Sequence, residues 1–483
     1  MLGLLLLLAW TGCGGRADKN APGSAPAASN LILIVIDTLR RDHLSVYGYK
    51  RPTSPNLERL ARGSVVFEEC RAQSSWTQPS TLSLLSGLYP TRHGAHEYAT
   101  VDPEIDFLSE ELVEAGFATA AFSGNPNVSP QLSMDQGFET FQFMGGEQAK
   151  DYPDVSELLR SAEQWLERRS PRERFFLYLH LMNVHGPYRA PDEFRRRFME
   201  EPAAEFKFQC KLWTDVMRKG EVARREDFGD AHRNDLVARY DGAIAYTDQE
   251  IGAFLDRLES RGILEDSLLI VTSDHGEELF DHGGFGHGFT LYSEMLDVPL
   301  ILRPPGLSRE CAGARIRARA GLIDVAATAL DYLGLGEGSE RTFGDGRSLR
   351  VVVETGDGTW SDRPLCAHLM RGRQGSAFLF ERPPFRWIGI EQEYTRRPAS
   401  TELFRLDLDP ADLSDLSALE PEALARLAAE AGQMREALEQ QSFTSPRRDL
   451  DEETRQRLEK LGYEANGEET EPAPQSSTDD DSS

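Results

Sequence analysis

Basic charge is what this chain lacks most. Its 53 Lys and Arg stand against 80 Asp and Glu, giving a net charge of -27 and an isoelectric point near 4.9. A nucleic-acid backbone is held by basic patches, so no nucleic acid is expected among the partners. The basic residues are mostly Arg and rarely Lys, a bias of composition with no function attached. Cysteine is sparse too: apart from Cys13 there are Cys70, Cys210, Cys311 and Cys366, spaced too widely for a zinc ribbon. They fit two disulfides in an oxidising compartment or simply buried apolar side chains, and their pairing cannot be deduced. There is no internal repeat, and the apolar segment Met1 to Trp10 is too short to span a bilayer as a stable anchor.

What is present bounds the architecture. A chain of 483 residues with 40% hydrophobic and 28% charged content can bury a substantial core and allows two or three domains. Met1 to Trp10 leads into Thr11-Gly12-Cys13 and a Gly/Ala/Pro/Ser-rich stretch to Asn30. This resembles a bacterial lipoprotein signal, with Cys13 as the lipidated residue and the polar stretch as a tether to the membrane. No Lys or Arg precedes the apolar run and Trp10 stands where a Leu-like residue is usual, so an ordinary secretory signal is the alternative. Both imply export, to the periplasm or cell envelope. At the other end, Glu468 to Ser483 is acidic, Ser/Pro-rich and almost without apolar residues, and is expected to be disordered.

Three apolar runs each stop at a polar cluster. Leu31 to Ile36 precedes Asp37, Phe175 to Leu179 precedes His180 and leads to His185, and Leu268 to Thr272 leads to Asp274-His275-Gly276-Glu277. Such runs read as central parallel strands buried on both faces, and open α/β sheets place their sites at the carboxyl ends of those strands. The three read as the walls of one metal-centred site. Further strand candidates are Ala118 to Phe122 and Val298 to Leu302. Helices are expected over Asn56 to Ala61, Leu82 to Leu85, Leu108 to Glu114, Val155 to Arg168 and about Asp235 to Ser260. This alternation implies an α/β fold: a mostly parallel central sheet flanked by helices. After Gly334, Gly- and Arg-rich loops with runs such as Ala377 to Leu379 and Arg386 to Ile390 read as a smaller α+β subdomain with an antiparallel sheet. A helix from about Pro421 to Gln441 follows. The expected division is 1–30 signal and linker, 31–334 catalytic domain, 335–467 C-terminal subdomain and 468–483 tail.

The second decisive stretch is Ser75-Trp76-Thr77-Gln78-Pro79-Ser80-Thr81-Leu82-Ser83-Leu84-Leu85-Ser86-Gly87. Pro79 suits the first turn of a helix, Ser80 and Thr81 keep that turn polar, and the leucines give it an apolar body. Thr77 then sits just ahead of the helix, where free backbone N–H groups favour an anion. A hydroxyl there, beside a divalent cation, can lose its proton and attack an ester centre. The same residue also reads as a helix cap, as most such Thr residues do, and this stretch alone favours that reading.

Together these segments resemble the sulfatase family of the alkaline phosphatase superfamily. Ile36-Asp37-Thr38-Leu39-Arg40-Arg41-Asp42 is similar to its first metal-ligand segment. The stretch around Thr77 is similar to its nucleophile segment, and His180-Leu181-Met182-Asn183-Val184-His185-Gly186-Pro187-Tyr188 to its substrate-facing one. Thr272 to Glu277 resembles the second metal segment, followed by Gly286-His287-Gly288 with Tyr292, Glu294 and Val298-Pro299. Glu402-Leu403-Phe404, Asp409-Pro410 and Leu461-Gly462-Tyr463 resemble phrases near the family's C-terminus.

The departures are equally informative. Formylglycine sulfatases oxidise a Cys or Ser at the nucleophile position, whereas this chain has Thr77, whose β-carbon already carries a methyl group. No formylglycine is expected. Thr81 replaces an Arg, Thr38 the second carboxylate of an Asp-Asp pair, and His275 a common Asn. These changes resemble the branch with a direct threonine nucleophile, the phosphoglycerol and phosphoethanolamine transferases.

The resemblance implies a divalent cation held by Asp37, Asp274, His275 and the oxygen of Thr77. An imidazole among oxygens suits manganese or zinc, with calcium or magnesium as alternatives. Thr77 is implied as nucleophile, and His185 and His287 as groups that bind non-bridging oxygens or protonate the leaving group. His43, His93, His96 and His232 are read as structural. The expected function is metal-dependent hydrolysis of sulfate or phosphate esters of a small molecule, glycan or lipid. The alternatives are a head-group transferase acting on an envelope glycan or lipid, and a non-catalytic binding protein.

Overall fold

In the computed structural model, which describes residues 28–95, 99–145, 152–170, 172–199, 230–335, 342–355, 363–370, 376–391, 399–446 and 454–456, the first apolar run is strand β1 (Asn30–Ile36). Its side chains alternate between two faces. Leu31, Leu33 and Val35 join one hydrophobic core, and Ile32, Ile34 and Ile36 join the other. A strand buried on both faces can only be central, and that is where it lies.

The remaining strands of the main sheet are β2 (Val65–Phe67), β3 (Ala118–Ser123), β4 (Thr140–Phe143), β5 (Phe175–Leu181), β6 (Ser267–Thr272), β7 (Leu300–Arg303) and β8 (Arg315–Ile316). Their order across the 8-stranded sheet is β8-β2-β7-β6-β1-β5-β3-β4. β1 pairs parallel with β5 and β6, while β7 runs antiparallel to β6 and β2. The mostly parallel sheet expected from the sequence is present.

Each face is covered by helices, all anticipated by the sequence pattern except Asp324–Tyr332. Helices α1 (Pro55–Ala61), α4 (Val155–Glu167) and α5 (Asp230–Ser260) pack against the Ile32, Ile34 and Ile36 face. The face of Leu31, Leu33 and Val35 carries α2 (Thr77–Ser86), α3 (Leu108–Glu114) and α6 (Asp324–Tyr332). All residues of α2 are buried, so even its polar first turn lies inside the protein. The helix ends at Gly87, whose left-handed backbone (φ 70) and close approach to the Phe343 carbonyl leave no room for a side chain.

A second sheet of strands β9 (Leu365–Met370), β10 (Ser376–Arg382), β11 (Phe385–Ile390) and β12 (Ser400–Arg405) is fully antiparallel. Helix α7 (Pro421–Glu439) packs on it through Leu427, Ala431 and Leu438. This unit meets the main body through apolar packing, with Ala367, Leu369, Leu379 and Ile388 in the same core as Leu31, Leu33 and Val35, and through buried charge. Arg386 donates to the Glu381 carboxylate from Nη2 (2.9 Å) and Nε (3.0 Å), to Ser293 Oγ (2.9 Å) and to Asp412. Arg71 and Arg319 of the main body reach the same Glu381 at 3.2 and 2.7 Å. Burial raises the Glu381 carboxyl, but Arg71, Arg386 and Arg319 outweigh it and hold the group well below the usual carboxylate range.

Cys70, Cys311 and Cys366 are buried free thiols. Cys13, Cys210, His96, the Leu461-Gly462-Tyr463 phrase, the signal and the acidic tail lie outside the described residues, as does the His232 side chain.

Two predictions follow from the joint between the sheets. Arg386→Met takes the arginine from buried Asp412 and one of three from Glu381, and should cost about 3–5 kcal/mol of stability, read by calorimetry or chemical denaturation. His282 bridges Glu294 (2.7 Å) and the Asp412 carbonyl (2.8 Å); although burial lowers its pKa, Glu294 raises it to about 9. A raised folded pKa stabilises below the unfolded value and fades as pH rises through about 9. The gap in unfolding free energy between wild type and His282→Gln should therefore shrink as pH goes from neutral to above that value.

Candidate active site

The sheet delivers its polar ends to one place. Asp37 follows β1, Asn125 follows β3, His180 is the penultimate residue of β5, and Asp274 lies just beyond β6. Ser273 ties two of these ends together: its hydroxyl donates to the Ile36 carbonyl (2.6 Å) and accepts from the Leu39 N–H (2.9 Å). Ser80 fixes the helix to the same edge by donating to the Asp274 carbonyl at 2.5 Å. Thr38, between Asp37 and Leu39, adopts φ 58, a conformation that costs a β-branched residue of order 1–3 kcal/mol. It aims the Thr38 N–H at Asp274 Oδ1 (3.3 Å).

Asp37, Asp274 and His275 each present a donor atom to the others, all within 4.8 Å. His275 Nδ1 donates to the Gly276 carbonyl (2.8 Å), leaving Nε2 as the acceptor nitrogen facing Asp274 Oδ2 (3.4 Å) and Asp37 Oδ1 (3.8 Å). Those two carboxylate oxygens are fully buried and accept no hydrogen bond. Two carboxylates and one lone pair, buried together with their inner oxygens unsatisfied, fit a divalent cation.

Thr77 completes the cluster. Its Oγ1 lies 3.3 Å from His275 Nε2 and 3.3 Å from Asn125 Nδ2. Contrary to the sequence expectation, Thr77 does not precede the helix. It is the first helical residue, with extended Trp76 (φ -154) as the cap position, because the polar first turn is buried against the strand ends and its hydroxyl bonds there instead of capping.

The electrostatics are uneven. Burial raises Asp37, yet the hydrogen bond from His180 Nε2 (2.9 Å) and the nearby imidazoles of His185 and His275 hold it well below the carboxylate range. Burial and the charge of Asp37 push Asp274 up. His185 is pushed down by burial. The rings of His185 and His287 are 4.9 Å apart, and His287 is 4.6 Å from His275, so both predicted imidazoles stand at the cluster. By contrast His43 bonds to Asp241 (2.8 Å) and His93 to Ser83 (3.2 Å), in the structural roles expected.

Three contributors carried no assigned role in the sequence. Asn125 Nδ2 donates to Asp37 Oδ2 at 2.6 Å as well as to Thr77. His180 holds the same oxygen and is itself held by the Tyr178 hydroxyl (2.9 Å). Glu277 accepts from His287 Nδ1 at 3.1 Å. His180 and Glu277 sit in segments that were visible as strand ends; Asn125, in Ser123-Gly124-Asn125, had no signal beyond following a strand.

If the cluster holds a cation, adding manganese or zinc should raise the melting temperature, by up to about 2.7 kcal/mol of stability at a hundredfold excess over Kd. Asp274→Asn should abolish that shift, as read by thermal denaturation with and without metal.

Known proteins match this arrangement along most of the chain. The sulfatase family model matches residues 29–335. An arylsulfatase of Clostridium perfringens is 24% identical over 449 residues, covering 80% of this chain and 90% of that protein. A multifunctional alkaline phosphatase superfamily protein of Trinickia caryophylli is 25% identical over 404 residues, covering 68% and 77%. The fold is shared with the phosphonate monoester hydrolase of Agrobacterium radiobacter at a TM-score of 0.67 and 20% identity, covering 85% and 96% of the two chains. It is also shared, at 0.69 and 19% identity over 86% and 98%, with a protein solved in complex with D-glucosamine-2-N,6-O-disulfate. The chain belongs to the sulfatase family, the metal-dependent hydrolases of sulfate and phosphate esters.

Proposed function

We propose that the protein hydrolyses sulfate or phosphate esters with Thr77 as its direct nucleophile, beside a divalent cation held by Asp37, Asp274 and His275. The observation that carries this reading is the position of Thr77 Oγ1, 3.3 Å from both His275 and Asn125, against carboxylate oxygens left unsatisfied in a buried site. Such a cation, manganese or zinc by its mixed donor set, would lower the pKa of the Thr77 hydroxyl and draw charge from the transferred group.

The rest is the work of the chain. Asn125 holds Asp37 and the Thr77 oxygen in register through one amide. The start of α2 points its helix dipole at the anion that Thr77 meets. His185 and His287 face the non-bridging and leaving oxygens. Attack by Thr77 gives a sulfo- or phospho-threonine, which water then cleaves.

The substrate class follows the relatives: an aryl or sugar sulfate, or a phosphate or phosphonate ester. Because the matched relatives include sulfatases and a phosphonate monoester hydrolase, water is favoured over a second alcohol as acceptor. A purely binding role is opposed by the convergence of Asp37, Thr77, Asp274 and His275. We place the protein in the periplasm or cell envelope, tethered through Cys13 if the leader is of the lipoprotein type.

The test is turnover of paired aryl sulfate, phosphate monoester and phosphodiester substrates with added manganese, zinc or calcium. Thr77→Ala should lower turnover on the order of 10³-fold or more on whichever ester reacts. Turnover that survives the substitution would point to attack by water instead.

A further inference from the structure

Tyr240 touches two strained corners of the chain beside the site. It lies in α5 and is fully buried, and its hydroxyl donates to the Thr38 carbonyl at 2.6 Å while accepting from the Arg40 N–H at 2.8 Å. One side-chain oxygen thus closes the loop that leaves Asp37. Thr38, inside that loop, has φ 58. The Tyr240 ring also meets, edge to face at 5.4 Å, the ring of Tyr188, which has the same φ of 58 three residues after His185.

A left-handed backbone is opposed by the β-branch of threonine and persists only where the surroundings over-determine it. The residues after β6 supply one side of that hold. Ser273 Oγ accepts from the Leu39 N–H at 2.9 Å, and Asp274 Oδ1 accepts the Thr38 N–H at 3.3 Å. The Tyr240 hydroxyl supplies the other side. Its footing is fixed by the next residue: Asp241 accepts from the Tyr49 hydroxyl (2.9 Å) and Arg51 Nη1 (2.8 Å), and lies 2.8 Å from His43 Nδ1. Helix α5 is thereby pinned to the same stretch of chain that begins at Asp37.

Without that hydroxyl, a buried carbonyl and a buried N–H lose their partner together. Thr38 is then free to leave the left-handed region, which takes its N–H from Asp274 and shifts Asp37, the adjoining residue. We propose, resting on the reading of Asp37, Asp274 and His275 as cation ligands, that Tyr240 is a positioning residue for that site. Its hydroxyl clamps Thr38 in the conformation that keeps the two carboxylates facing each other. It acts through Thr38 and touches no reacting atom.

The test is a double-mutant cycle, read by titration calorimetry of manganese into the metal-free, full-length protein. Tyr240→Phe keeps the ring and removes only the hydroxyl. It should weaken manganese binding about 10- to 100-fold, the usual cost of losing a group that orients a metal ligand. Glycine takes a positive φ without strain, so with Thr38→Gly in place there is little left to clamp. In that background Tyr240→Phe should change the Kd far less. A tyrosine that merely supports the fold would lower the melting temperature and leave the Kd of the folded protein where it was. One reading needs no variant: in metal-free wild type the Arg40 amide should exchange its hydrogen as slowly as the amides of β1.

Unchanged manganese binding in Tyr240→Phe, a loss of equal size in the Thr38 and Gly backgrounds, or a rapidly exchanging Arg40 amide would each overturn the clamp. A wild type that takes up neither manganese nor zinc would instead refute the cation site, and the exchange of the Arg40 amide would still decide whether the loop after Asp37 is clamped.

Discussion

Two buried carboxylates in one place are the constraint on which this structure turns. Asp37 and Asp274 lie at neighbouring strand ends, each with an inner oxygen that accepts no hydrogen bond. Left so, each costs the desolvation of a charge without a partner. The surrounding chain is arranged to tolerate that cost rather than remove it: His180 and Asn125 take the outer oxygen of Asp37, and strained Thr38 offers its N–H to Asp274. A cation between the two would supply the partner that these inner oxygens lack.

The sheet makes this possible because parallel strands end together. β1, β5 and β6 are hydrogen-bonded neighbours, so residues just beyond them or at their ends, such as Asp37, His180 and Asp274, share one edge. Helix α2 then enters from above that edge with Thr77 as its first residue, fixed by Ser80 to the Asp274 carbonyl. The C-terminal sheet is fastened by the Arg386, Glu381 and Asp412 network, in which three arginines converge on Glu381. Tyr292, Ser293 and Glu294, which follow the His287 segment, lie at this joint, so the second sheet supports the rim of the site.

Much of this was legible before the fold was seen. Apolar runs that stop at a polar cluster identify buried parallel strands, and the expected helix and strand segments from Leu31 to Gly334 are present, whereas the strands Val65–Phe67, Thr140–Phe143 and Arg315–Ile316 and the helix Asp324–Tyr332 carried no expectation. The metal candidates Asp37, Asp274 and His275 converge because they occupy equivalent ends of adjacent strands. What escaped reading depends on contacts between distant segments. Asn125 looks like any polar residue after a strand until β3 is seen beside β5, and the partnership of Glu277 with His287 needs the loop between them to fold back. Thr77 is expected just ahead of its helix because Pro79 suits a first turn, whereas the helix begins at Thr77 itself and its first turn is buried. The charged seam under the second sheet left no sequence signal, since its Arg and Glu residues are far apart in the chain and look like ordinary surface charge.

The central claim is that the Thr77 oxygen becomes bonded to the transferred group. Rapid acid quenching during the first turnovers, followed by peptide mass spectrometry, tests it directly. The account predicts a sulfo or phospho group on the peptide carrying Thr77, appearing before steady state and disappearing when substrate is exhausted. Product formed while Thr77 remains unmodified at every quench time would contradict it and leave water as the attacking group.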